Sequence, residues 1–162
     1  MSREDVVAAA HAYFDDGYFL DDLTRRIAIP SESQKTDSRA ALDQYLNDEM
    51  VPAFEAMGHD CQVFENPIEE KGPVLLATRI EEKGSPTVLG YGHGDVIRGL
   101  DDQWAEGLNP WIATLRGDKL YGRGSADNKG QHTINLGALS AVLSENGKLG
   151  FNFRFLFKTN KK

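Results

Sequence analysis

The chain has 162 residues, long enough for one domain with a real core, and its 40% hydrophobic and 27% charged content is an ordinary globular composition. A formal net charge of -7 argues against a nucleic-acid surface, and the single cysteine, Cys61, rules out an internal disulfide. No run reaches the ~18 apolar residues of a membrane helix, and the acidic opening "MSREDVVAAAHAYFDD" lacks the layout of a signal peptide, so the expected location is cytoplasmic.

Ser2, the early acids and Gly17 bracket a first helix in "SREDVVAAAHAYFDDG". Phe19, Leu20, Leu23 and Ile27 recur at helical spacing in "YFLDDLTRRIAIPS", which stops at Pro30. "SRAALDQYLNDEMVPAFEAMG" predicts a longer amphipathic helix, with Leu42, Leu46, Met50 and Phe54 on one stripe and Gly58 as its stop. The period then changes. "CQVFEN", "GPVLLATRI" and "PTVLGYG" read as strands, the last two joined by "EEKGS" as a hairpin loop. Val88 to Tyr91 show little alternation, which predicts an inner strand buried on both faces. "WIATLRGDKLYGRG" predicts a hairpin turning at Gly117 and Asp118, followed by a helix from about Asn128 to Leu143 that ends near Gly147. In "GFNFRFLFK", Phe151, Phe153, Phe155 and Phe157 alternate onto one face, as in a strand. The expected class is α/β: a mixed sheet flanked by helices, with sites at the carboxyl ends of its strands.

"GYGHGDVIRG" follows the apolar run at such a strand end. On an extended chain, residues two apart point the same way, so His93 and Asp95 can face one pocket. The pair suits a zinc ligand with its orienting carboxylate, or a pair for acid–base work, or a solvated turn. Further on, "YGRGSADNKGQH" lies between the hairpin and the helix, with Asp127 where a helix N-cap would stand. Capping alone accounts for an aspartate there; a carboxylate reaching a metal is the functional reading. Glycines before a helix can also cradle phosphate, but the spacing matches neither common nucleotide-binding pattern.

Together the two stretches resemble the co-catalytic zinc peptidase and deacylase family. Its members include aminoacylase, acetylornithine deacetylase, succinyl-diaminopimelate desuccinylase, carnosine-type dipeptidases and glutamate carboxypeptidase. The resemblance covers the helical lead-in, "YGHGDV", "QWAEGLNPWIA" and "LYGRGSADNKG". It implies a zinc-exopeptidase-like catalytic domain and hydrolysis of an amide bond in a peptide or N-acyl amino acid. His93 and Asp127 are the implied metal ligands, Asp127 bridging two zinc ions, with Co²⁺ or Mn²⁺ as alternatives. Asp95 is the implied catalytic carboxylate that supports the His93 imidazole, and Lys129 is structural or electrostatic.

The same resemblance implies a pair of glutamates just after the phenylalanine-rich strand, where Lys161 and Lys162 stand. It also implies later ligands and a lid or dimerisation domain that could make a homodimer. The expectation is therefore that residues 1–162 are the N-terminal part of a catalytic domain, inactive by themselves. A non-catalytic interaction module, pairing through its last strand, is the alternative. Of the other candidates, His11 and His59 read as surface residues and His132 as structural. Trp104 and Trp111 read as core or rim aromatics, and Cys61 as a small buried hydrophobe.

Overall fold

The structure is a computed structural model, and it describes residues 2–68 and 71–160. Two helices open the chain, α1 (Arg3–Asp15) and α2 (Tyr18–Ala28). Ser2 caps α1 through a reciprocal box: its hydroxyl accepts from the Asp5 N–H, while the Asp5 carboxylate accepts from the Ser2 N–H at 2.8 Å. Gly17, at φ 89, makes the corner between them. The third helical stretch runs as α3 (Arg39–Gln44), a π-helical segment (Tyr45–Met50) and α4 (Val51–Glu55). The π segment is a departure from the uniform helix expected. It leads into Pro52, which has no N–H to donate and whose ring crowds the preceding turn. The predicted stripe survives it: Leu42, Leu46, Met50 and Phe54 are all buried.

The strands β1 (Asp60–Phe64), β2 (Val74–Arg79), β3 (Thr87–His93), β4 (Thr114–Arg116), β5 (Lys119–Tyr121) and β6 (Asn152–Lys158) form two sheets. β4 and β5 make the expected hairpin, turning at Gly117 with φ 62. The main sheet has the order β1-β2-β6-β3. The hairpin expected between β2 and β3 therefore does not form. β6, from the far end of the chain, lies between them, antiparallel to β2 and parallel to β3. Its alternate phenylalanines explain the insertion. Phe153, Phe155 and Phe157 are buried against Tyr45, Leu46, Met50, Phe54 and Leu136, and only the central position covers them from both sides.

β3 accordingly sits at the sheet edge, against the expectation of a strand buried on both faces. Val88, Leu89 and Tyr91 are exposed. The last strand, expected as an open edge for pairing, has partners on both sides and is not available for it. The helix before it, α5 (Lys129–Asn146), ends at Gly147 as expected. Its N-cap is Asn128 rather than Asp127, so Asp127 is not held by a capping role. Lys161 and Lys162 lie outside the described residues.

No helix among the described residues is long and apolar enough to cross a membrane.

Candidate metal centre

The carboxyl end of β3 delivers His93 and Asp95. Gly94, between them, donates its N–H to the Lys158 carbonyl at 2.9 Å, and its own carbonyl accepts from the Ser31 hydroxyl at 2.6 Å. A side chain could not fit here: a Cβ on Gly94 would lie 2.4 Å from the Tyr45 ring. The segment after Pro30 runs alongside, with the Val96 N–H donating to the Ser31 carbonyl at 2.8 Å. This brings the Ser33 hydroxyl to 2.6 Å from Asp95 Oδ2. Asp95 is fully buried, and its other oxygen, Oδ1, faces His93 Nδ1 at 3.4 Å. The two side chains thus lie beside each other.

Asp127 arrives from the other side. The loop before α5 is locked by Lys129, whose buried Nζ donates to the carbonyls of Arg26 at 2.8 Å and Ile29 at 2.7 Å, at the end of α2. This is the structural role expected of Lys129. Burial pulls its pKa down to about 7. Gly130 packs against the same loop so closely that a Cβ would lie 2.0 Å from the Ser125 carbonyl oxygen. Thus anchored, Asp127 places Oδ1 3.0 Å from His93 Nε2. Asp127 remains 68% exposed, while His93 is 12% exposed.

The protonation pattern of His93 follows from its partners. Nδ1 lies 2.9 Å from the Asp95 backbone carbonyl, which can only accept, so Nδ1 carries the proton. In the neutral ring Nε2 is then a bare lone pair, and it faces a carboxylate oxygen. A proton or a cation shared between them relieves that opposition. The Asp95 carboxylate accordingly holds the His93 pKa above the ordinary imidazole value, helped by its backbone carbonyl and the Asp127 charge and opposed by burial. Two ligands at about 2.0–2.2 Å from a tetrahedral zinc would stand about 3.3–3.6 Å apart. The observed 3.0 Å is a few tenths of an ångström shorter, so a small opening of the pair would let it hold a common metal ion. Among the described residues, no three or more His, Cys, Asp or Glu side chains gather in a metal-holding group.

The remaining candidates are placed as follows. His11 is exposed, as expected. His59 is not a surface residue: it is 4% exposed, with Nδ1 on the Phe54 carbonyl and its ring against Phe54 and Phe153. His132 is buried and structural, as expected. Trp104 and Trp111 are half-buried rim aromatics, bonded through their indole N–H groups to the Gly99 carbonyl and to Asp101. Cys61 is half-buried on β1, and burial pushes its thiol pKa up to about 11.

Ser33 and Asn128 were missed. Ser33 reaches Asp95 across 62 positions of chain and Asn128 reaches the His93 N–H across 35, and no local periodicity encodes such contacts. Only the adjacency of Asn128 to Asp127 was a usable signal.

His132 carries a pH prediction. Arg26 from α2, Lys129 beside it on α5, His93 at the end of β3 and the Tyr45 hydroxyl all face it, and burial holds its pKa well below the ordinary value. Above the unfolded value of about 6.5 the ring is neutral in both states. As pH falls below that, the unfolded chain takes up a proton that the fold refuses, so stability is lost. His59, also lowered by burial, adds to this, and His93, raised, opposes it. Urea melts at pH 7 and pH 5 should show a smaller acid loss in His132→Gln than in the parent. An equal loss would contradict the assignment.

Residues 89–160, which include both candidate ligands, match the model of peptidase family M20/M25/M40. The chain is 37% identical over 87 residues to Beta-Ala-His dipeptidase of Mus musculus, covering 53% of this chain and 17% of that protein. It is 30% identical over 130 residues to succinyl-diaminopimelate desuccinylase of Rhizorhabdus wittichii, covering 80% of this chain and 30% of the relative. The crystal structure of human carnosine dipeptidase 1 superposes with a TM-score of 0.85 at 26% identity, over 96% of this chain and 34% of that one. The chain thus spans at most about a third of these proteins.

Proposed function

Because the chain belongs to peptidase family M20/M25/M40, we propose that it serves metal-dependent hydrolysis of an amide bond in a small peptide or N-acyl amino acid, as part of a longer catalytic domain. The observation that carries this reading is the opposition of His93 Nε2 and Asp127 Oδ1 at 3.0 Å, a pair that a divalent cation would satisfy. Zinc is the ion of choice for mixed imidazole and carboxylate ligands, with Co²⁺ or Mn²⁺ as alternatives. When held, it supplies Lewis acidity for attack on the scissile carbonyl.

The chain's own residues supply the setting. His93 and Asp127 hold the ion. The Asp95 backbone carbonyl on Nδ1 keeps the imidazole turned so that Nε2 faces outward, and the Asp95 carboxylate, with Ser33 on one oxygen, adds its negative charge behind the ring. A catalytic zinc site has about three protein ligands, and His93 and Asp127 are two, so turnover is assigned to the longer form. The half-buried lone thiol suits a reducing compartment such as the cytoplasm.

Zinc titration followed by heteronuclear NMR tests the reading. Shifts should centre on His93 and Asp127, and His93→Ala or Asp127→Ala should abolish them. Asp95→Asn should weaken binding by about 10–100-fold. Zinc binding that persists in His93→Ala would remove the proposal.

A further inference from the structure

Asn128 lies between the candidate metal centre and the core, and its side-chain carbonyl is shared by both. Oδ1 accepts the His93 backbone N–H at 3.0 Å and faces His132 Nδ1 at 3.1 Å. On the far side of the His132 ring, Nε2 lies 2.6 Å from the Tyr45 hydroxyl. A carbonyl oxygen can only accept, so His132 Nδ1 must carry the proton. Nε2 is then the acceptor and Tyr45 the donor. The bonds form one unbroken sequence: Tyr45 O–H to His132 Nε2, His132 Nδ1–H to Asn128 Oδ1, and His93 N–H to the same oxygen.

This sequence also fixes which way the amide points. Flipping Asn128 would set its NH₂ group against the His93 backbone N–H, a donor that no tautomer change can convert, and leave it unsatisfied. In the observed orientation Nδ2 instead donates outward to Gln131 Oε1. His132 is 1% exposed and Tyr45 fully buried, and the Tyr45 ring stacks on Phe157, so the inner end of the sequence is rigid. The outer end is the backbone of one candidate ligand, and Asn128 itself is the chain neighbour of the other.

We propose that Asn128 is the positioning residue of the His93–Asp127 pair, holding β3 to the Asp127 loop, and that Tyr45 and His132 set its orientation from the core. This deepens the metal-binding reading and rests on it for its functional meaning. The clamp itself is a property of the metal-free chain and is measured without metal.

The test is amide hydrogen exchange on the whole chain, with the Phe155 amide as the reference for global opening. In Asn128→Ala the His93 N–H should exchange about tenfold faster, the worth of a hydrogen bond near the upper end of the usual range, while Phe155 stays unchanged. Asn128→Asp keeps an acceptor oxygen in place and should restore most of the protection, which a merely space-filling role would not do. Tyr45→Phe keeps the ring stack and removes only the donor. It should shift the ¹⁵N signature of His132 away from a pure Nδ1–H tautomer and speed exchange at His93 by a lesser factor. Unchanged His93 exchange in Asn128→Ala overturns the proposal. Should that variant lose its fold, unchanged His93 exchange or an unchanged His132 tautomer in Tyr45→Phe overturns it instead. Zinc titration of the parent separates the two readings: absent shifts at His93 and Asp127 would end the metal assignment while leaving the exchange result standing.

Discussion

Lys129→Ala should destabilise the fold by about 3–5 kcal/mol, the range for emptying a large buried site. Lys129 is fully buried, and its ammonium reaches two carbonyls at the end of α2 and lies 4.9 Å from the centre of the Tyr45 ring. Its stem packs on Gly124, where a Cβ would sit 3.0 Å from the Lys129 chain. Lys129→Met separates the two contributions. It keeps the stem and removes the donors, while each carbonyl retains another donor, Ile29 N–H for Arg26 and Ser31 N–H for Ile29. Methionine should therefore cost only about 1–2 kcal/mol. Urea denaturation of the two variants reads the difference. Equal losses would mean that the hydrogen bonds, rather than the packing, dominate.

Phe157→Ala should cost about 3–5 kcal/mol, as large aromatic truncations in a core do. Phe157 is fully buried where three elements meet. Its ring centre lies 4.7 Å from that of His132 and 6.0 Å from those of Tyr45 and Phe155. Gly92 and Gly94 approach it closely enough that a Cβ on either would come within 3.1 Å and 2.8 Å of its ring. The loss should also reach the candidate centre, because His93 is paired in register with Lys158, the next residue on β6. Phe157→Leu refills much of the space and should recover more than half of the loss. A thermal melt showing alanine and leucine equally tolerated would contradict this placement of the core.

The local signals in the chain translated well where one element decides its own form. The Ser2 box, the Leu42-Leu46-Met50-Phe54 stripe, the Gly117 turn and the alternate phenylalanines of β6 each depend on residues a few positions apart. The failures share a cause. A hairpin between β2 and β3 is the local solution for two strands joined by a short loop, yet β6 displaces it, because a strand with one fully apolar face gains most at the centre of the sheet. The uniform apolar run of β3 reads as burial, but exposure at a sheet edge depends on which strands pair with it. His59 reads as a surface residue; its burial comes from Phe54, five positions earlier, and above all from Phe153, distant in sequence and adjacent in space.

The sequence by itself determined the chemistry available. Two residues apart on an extended chain, His93 and Asp95 had to share a side, and the glycines around them and around Asp127 marked where backbones approach closely. The match to peptidase family M20/M25/M40 takes in those same stretches. Only the tertiary structure decided that His93 and Asp127, 34 positions apart, meet at 3.0 Å, and that Ser33, Asn128 and Lys129 hold them there. The physical reason is that each of these contacts joins segments brought together by burial of the shared core. Hydrogen bonds and ion pairs of this kind are made where packing has already placed their partners, and short-range periodicity carries no record of them.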